Sequence, residues 1–293
     1  MFNEKREMLW GTYNAAKNYF IHKPNQLIEL EKYITNLVND AIKKNFNEIV
    51  RDYNEASYLY PFWAEYQPTK RGRDPRGDQV PWIEVGEHAV GDKINRIIAS
   101  KYHIAEVGLP SGADDRFVLF SDEILKITDG LTNSVFLFLD IKSVGPRDSA
   151  DHTVVSPYQV SGNGIWKAPD SNLINSTILA RGKRRKHDFH PAMAPIYVLA
   201  EGIIAPSIHL FIKPIYKMLR LEENAKDGQP LKNITNVCLP NGLLLTENPN
   251  YLKQYPGLFF PGKDEAGKDP LKIRARISFS VLRAIADWRY HEF

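Results

Sequence analysis

The chain has 293 residues, 43% hydrophobic and 25% charged, with a formal net charge of +3. That is a globular composition, long enough to bury a sizeable core. No stretch approaches the roughly 18 apolar residues of a membrane span, the charged start "MFNEKREMLWGTYN" lacks a signal peptide's apolar stretch, and the single cysteine, Cys238, excludes an internal disulfide framework and a cysteine-based zinc site. A soluble, cytoplasmic protein without membrane contact is expected.

In chain order, the first hundred residues read as mostly helical. "NQLIELEKYITNLVNDAIKKNFNEIVRDY" places Leu27, Leu30, Ile34, Leu37, Ala41 and Ile42 on one stripe at helical spacing. A Pro/Gly/Arg-rich loop runs from Pro68 to Pro81, and "WIEVGEHAVGDKINRIIASKY" resumes the helical pattern. After "GLPSG" the character changes. "DRFVLF" and "NSVFLFLDIKSV" predict strands, joined by "SDEILKITDGLT", where Ser121 and Gly130 are start and stop signals for a short helical turn. "PIYVLAEG" and "IAPSIHLFIKPIY" predict further strands of the same sheet, and "NVCLPNGLLLTENP" and "ARISFSVLRAIADW" predict later strand or mixed elements. The expected fold is α/β: one domain over residues 1–293, with a mainly helical part over 1–105. Residues 106–293 then form a central mixed sheet flanked by helices, with basic loops to one side.

Positive charge is clustered. Lys70, Arg71, Arg73 and Arg76 fall in one loop, Arg181, Lys183, Arg184, Arg185 and Lys186 in another, and Lys268, Lys272, Arg274 and Arg276 in a third. Each alone fits a solvated loop. Three in a nearly neutral chain point to a polyanionic partner.

The segment "FLFLDIKSV" starts as a buried strand and ends in charge. Side chains alternate along a strand, so Asp140 and Lys142 share a face with Phe136 and Phe138, their Cα atoms about 6.5–7 Å apart. By itself this fits a surface ion pair as well as a site. Asp114 heads the preceding strand, and antiparallel pairing of the two strands would bring it beside Asp140 and Lys142. Two converging carboxylates need a counter-charge, and oxygen ligands with retained waters suit Mg²⁺. A lysine there serves phosphoryl chemistry by orienting the attacking water or neutralising charge on the phosphate. Asp140-Ile141-Lys142 is the one Asp/Glu-x-Lys tripeptide in the chain.

"LDIKSVGPRDS", "GDQVPWIEVGEHAVG", "DYNEASYLYPFW", "SPYQVSGNG" and "IAPSIHLFIKPIY" resemble the BglI-type restriction endonucleases, within the nuclease superfamily marked by Asp…(Asp/Glu)-x-Lys. The resemblance covers most of the chain in order, and is weakest between Lys167 and His190 and over the last dozen residues. It implies a restriction-endonuclease-like core and a type II enzyme: a homodimeric, Mg²⁺-dependent hydrolase that cuts both strands of duplex DNA. Its target would be an interrupted G·C-rich palindrome, with GCC/GGC half-sites expected, and the products would carry 5′-phosphate and 3′-hydroxyl ends. It makes Asp114, Asp140 and the Ile141 carbonyl the metal ligands and Lys142 the catalytic lysine. Glu87 falls where a helix carboxylate approaches that site, or is a solvated helix residue. Ala113 stands where the superfamily has proline, which relaxes the turn without removing a ligand.

The resemblance assigns base contacts to Asp148, Lys263, Glu265, Arg274 and Arg276, with Glu265 replacing an aspartate. Charges of both signs suit G·C pairs, since Arg and Lys donate to guanine and carboxylates accept from cytosine N4. Arg181–Lys186 and the Lys70–Arg76 loop fit phosphate contacts. Two other readings remain at this level: a catalytically silent DNA-binding protein on the same scaffold, and a structure-selective repair nuclease.

Overall fold

The computed structural model describes residues 2–57, 86–106, 113–142, 151–166, 173–216, 231–261 and 272–293; of residues 2, 3, 56, 57, 87 and 88 it describes the backbone alone. Two helices, α1 (Phe2–His22) and α2 (Pro24–Ser57), come first. Pro24 takes the first helical position of α2, where its missing N–H is no loss. Leu27, Leu30, Ile34, Leu37, Ala41 and Ile42 are all buried, as the helical stripe predicts. A π-helical turn, Gly86–Asp92, leads into α3 (Lys93–Ala99).

Strands β1 (His103–Glu106) and β2 (Asp115–Phe120) precede the short helix α4 (Asp122–Ile127). Ser121 caps that helix by accepting from the Glu123 N–H, and Gly130, at φ +85°, follows its end. Next comes β3 (Ser134–Ile141), buried along its whole length. The middle of the chain supplies β4 (His152–Val155) and two small hairpins, β5 (Ile165–Trp166) with β6 (Leu173–Ile174) and β7 (Ile178–Arg181) with β8 (Lys186–Phe189). Strand β9 (Ile196–Val198) leads to the long strands β10 (Ile204–Tyr216) and β11 (Leu231–Leu239). After α5 (Gly242–Thr246) and α6 (Tyr251–Gln254) come β12 (Phe259–Pro261), β13 (Ala275–Ser278), α7 (Phe279–Ile285) and β14 (Tyr290–Glu292).

Seven strands form the main sheet, in the order β1-β2-β3-β10-β11-β14, with β9 paired to the start of β10. The β3–β10 pair is parallel and the others are antiparallel, so the sheet is mixed, as expected. A second sheet, β12-β13-β4, lies apart from it. The run "ARISFSVLRAIADW" therefore divides: β13 joins the second sheet and α7 follows directly.

The two faces of the main sheet have different neighbours. Leu137, Leu139, Ile141, Ile208 and Ile212 pack in one core with the apolar stripe of α2 and with Val90, Ile94 and Ile98. On the other face Phe136 and Phe138 join Met193 and Ala205, while Phe211, Val237 and Leu239 join Val155, Phe259, Ala275 and Ile277 of the second sheet. Lys213 of β10 is buried and donates to the His152 carbonyl of β4, tying the two sheets together. A fully buried ion pair, Arg289 Nη2 to Glu31 Oε2 at 2.6 Å, fastens the C-terminal segment to α2. Among the described residues no helix is long and apolar enough to cross a membrane.

Candidate active site

Strand β3 delivers its charges at the end of a strand that is otherwise all core. Its antiparallel ladder with β2 runs as far as Asp115↔Leu139, so Asp114, one residue before β2, stands opposite Asp140. The Asp114 carboxylate closes the ladder: its Oδ2 accepts from the Ile141 N–H at 2.6 Å. On the other side, the Lys142 N–H donates to the Ile212 carbonyl at 2.8 Å, so the tripeptide is held from both flanks. The π-helical turn packs on the same strand end, where a Cβ on Gly91 would stand only 3.1 Å from Ile141 Cγ1. Glycine permits that close approach.

Asp140 is 3% exposed, so β3 does not simply run out to the surface. Its Oδ1 accepts from Gln159 Nε2 at 2.6 Å. Its Oδ2 lies 2.7 Å from Lys142 Nζ, whose side chain is 29% exposed. Beyond that ion pair, Oδ2 is buried and receives no hydrogen bond from the described residues. Burial pushes the Asp140 carboxyl up to about 7; Lys142 opposes that, the Asp114 charge reinforces it, and the Gln159 hydrogen bond opposes it. Among the described residues here, two carboxylates, the buried Asp140 and the exposed Asp114, converge on the one ammonium of Lys142. A hard divalent cation fits this donor set: one or two carboxylates, a backbone carbonyl, and waters or phosphate oxygens for the rest. Among the described residues no cluster of three His, Cys, Asp or Glu side chains could hold a metal ion by itself.

Three comparisons with known proteins bear on this arrangement. Residues 8–293 match the family model described as restriction endonuclease BglI. The chain belongs to the BglI restriction endonuclease family. It is 45% identical to the type II restriction enzyme BglI of Bacillus subtilis, over 97% of this chain and 96% of the relative. A crystal structure of BglI bound to its DNA recognition sequence superposes with a TM-score of 0.91 at 44% identity, covering 100% of this chain and 99% of that one. The tetrameric restriction endonuclease SfiI bound to cognate DNA shares the fold at a TM-score of 0.56 and 16% identity, covering 90% of this chain and 82% of that one.

Within this BglI-family fold, the residues singled out from the sequence divide into four groups. Asp114, Asp140, Ile141 and Lys142 come together at the end of β3. Glu87 lies on the π-helical turn that packs against β3, but its side chain is outside the described atoms. Asp148, Lys263 and Glu265 lie outside the described residues, as does the Lys70–Arg76 loop. Arg274 is exposed just before β13, and Arg276 is half-buried on β13, its Nη1 donating to the Pro261 carbonyl at 3.3 Å.

The basic segment Arg181–Lys186 is the tip of the β7–β8 hairpin, and every residue from Arg181 to Lys186 is exposed. Its Gly182 sits against Pro261, with 3.0 Å from a built Cβ to Pro261 Cδ. The hairpin and Arg276 therefore meet at the same proline, at the end of β12.

Gln159, not among the residues singled out from the sequence, is the side chain that donates to Asp140 Oδ1. A signal for it exists in the sequence. Ser156-Pro-Tyr-Gln159 is a capping box, and the Gln159 Oε1 accepts from the Ser156 N–H at 2.8 Å.

Proposed function

We propose that this BglI-family chain is a type II restriction endonuclease that hydrolyses both strands of duplex DNA, using Mg²⁺ held by Asp114, Asp140 and the Ile141 carbonyl. The observation that carries the reading is the convergence of both aspartates and Lys142 at one strand end, in a chain 45% identical to BglI over nearly its whole length. Family membership and the DNA-bound relatives support sequence-specific cleavage of DNA.

Each residue has a task set by its position. Asp114 and Asp140 present carboxylate oxygens from adjacent strands. Lys142, more solvent-accessible than Asp140, holds its ammonium at Asp140 Oδ2 and faces outward, where it orients the attacking water and neutralises charge gathering on the phosphate oxygens. When bound, Mg²⁺ supplies a further positive charge at the scissile phosphate and lowers the pKa of water there. Water attacks the phosphorus in line, the P–O3′ bond breaks, and the products carry 5′-phosphate and 3′-hydroxyl ends.

Base reading is assigned to Asp148, Lys263, Glu265, Arg274 and Arg276, donors for guanine and acceptors for cytosine. That mixture supports an interrupted G·C-rich palindrome with GCC/GGC half-sites. A palindrome in turn supports a two-fold homodimer with one active site per strand. Digestion of a sequenced plasmid with Mg²⁺ or with EDTA, followed by end mapping, tests this. Cuts at one interrupted palindrome in Mg²⁺ alone are expected; intact plasmid in Mg²⁺ overturns the reading.

A further inference from the structure

Gln159 has both ends of its amide committed. Oε1 accepts from the Ser156 N–H at 2.8 Å, and Nε2 donates to Asp140 Oδ1 at 2.6 Å. The orientation is forced, because a flipped amide would set oxygen against carboxylate and N–H against N–H. Gln159 as a whole is 9% exposed. Its turn is pinned as well: the Ala192 N–H donates to the Pro157 carbonyl at 2.8 Å and the Met193 N–H to the Val160 carbonyl at 3.2 Å.

What Ser156 is attached to gives this bridge its significance. It follows directly on β4, which pairs with β13 through Val155↔Ala275 and Val154↔Arg276. A short chain of hydrogen-bonded contacts thus runs from the strand carrying Arg276, through Ser156 and Gln159, to the carboxylate at the end of β3. In the main sheet β3 pairs with β2 and β10, so none of its ladders touches the second sheet.

We propose that Gln159 is a positioning residue that fixes the rotation of the Asp140 carboxylate from the base-reading sheet, so that the seating of β13 on DNA governs whether Oδ2 is aimed for catalysis. The role rests on the nuclease reading above. Gln159 touches neither substrate nor reacting atoms and acts through Asp140. At a correct site β13 seats, β4 and Ser156 follow, and the amide holds Oδ1 so that Oδ2 faces Lys142. At an altered site the same bridge carries a displaced β4 to the carboxylate, and cleavage suffers beyond any loss of binding.

The test compares Gln159→Glu, which keeps the acceptor for the Ser156 N–H and replaces the donor to Asp140 with a carboxylate oxygen that repels it, with Gln159→Ala, which removes both contacts. Single-turnover cleavage is measured in Mg²⁺ on a duplex carrying the mapped site and on duplexes altered at one base pair. Affinity for the mapped site is measured by gel shift without metal. The cleavage rate at the mapped site should fall about 10–100-fold, as for loss of a group that orients a metal ligand, with metal-free affinity within threefold of wild type. The ratio of mapped-site to altered-site rates should fall at least tenfold, because the altered sites never benefited from the bridge. A mapped-site rate within threefold of wild type in Gln159→Glu, or an unchanged ratio, or equal losses of rate and metal-free affinity, overturns the role. Should Gln159→Ala lack a cooperative melt, Gln159→Glu decides alone. Wild-type protein that cuts no duplex overturns the nuclease reading and this role together, whereas wild-type cleavage with unaltered Gln159→Glu kinetics overturns this role only.

Discussion

Two buried ion pairs in this protein use the same chemistry to opposite ends. At Glu31 each carboxylate oxygen has a partner: Oε1 accepts from the Asn241 N–H, and Oε2 meets Arg289 Nη2 at 2.6 Å, with both side chains wholly buried. At Asp140, Oδ1 accepts from Gln159, and Oδ2 is paired at 2.7 Å with Lys142, whose side chain is 29% exposed. The first pair is closed and holds α2 to the C-terminal segment. The second opens to solvent through Lys142, as a site needs if metal and DNA are to reach it.

The largest effect in this comparison belongs to the open pair. Asp140→Ala should reduce cleavage about 10²–10³-fold, the range of lost electrostatic stabilisation at a reacting centre, while specific DNA binding stays measurable by gel shift. Undiminished cleavage would rule the mechanism out. The closed pair should answer in stability instead. Arg289→Ala strands the Glu31 carboxylate and should cost about 3–5 kcal/mol in urea unfolding; a loss below 1 kcal/mol would show that solvent reaches Glu31.

A sharper contrast comes from an isosteric change. Above pH 7, ionised Asp140 is disfavoured in the folded chain relative to the unfolded one. Asp140→Asn should therefore raise metal-free stability by about 1–2 kcal/mol as it removes activity, the trade expected of a functional buried charge. Destabilisation in urea would place Asp140 with Glu31 as a structural group.

His209 provides a neutral counterpart, stacked on Phe138 at 4.7 Å with burial pulling its imidazole down to about 3. The unfolded chain takes up that proton near pH 6.5 and the folded chain does not. The contribution is therefore intact above about pH 6.5 and is lost as pH falls toward 3, by up to about 1.4 kcal/mol per pH unit. Relative to wild type, His209→Phe should gain stability as pH falls through that window; a constant difference would contradict the assignment. The smallest effect is at the β7–β8 tip. Replacing Lys183 and Arg184 by Ala should lower the slope of log affinity against log salt by about 2 and leave site preference unchanged. A changed preference would make the tip a base reader.

Much of this was legible in the sequence because period-2 alternation and helical stripes depend on neighbours a few residues apart. The α2 stripe, the Ser121–Gly130 turn, and the separation of Phe136, Phe138 and Asp140 from Leu137, Leu139 and Ile141 all follow from local spacing. The likeness of "LDIKSVGPRDS" and its companion segments to the BglI family was also legible, and the comparisons agree with it. The second sheet was not. Nothing local in "HTVV" or "ARIS" tells a strand of the main sheet from one that pairs β4 with β13, since pairing partners are chosen by contacts far apart in the chain.

By itself, then, the order of residues determined which side chains alternate to which face, which tripeptide ends the buried strand in charge, and which family the chain joins. The closure of Asp114 onto the Ile141 N–H, the burial that unsettles Asp140 and the amide bridge from Ser156 were decided only when the chain folded. Each depends on the desolvation and hydrogen-bond geometry created where separate strands meet, and those quantities have no value in an extended chain.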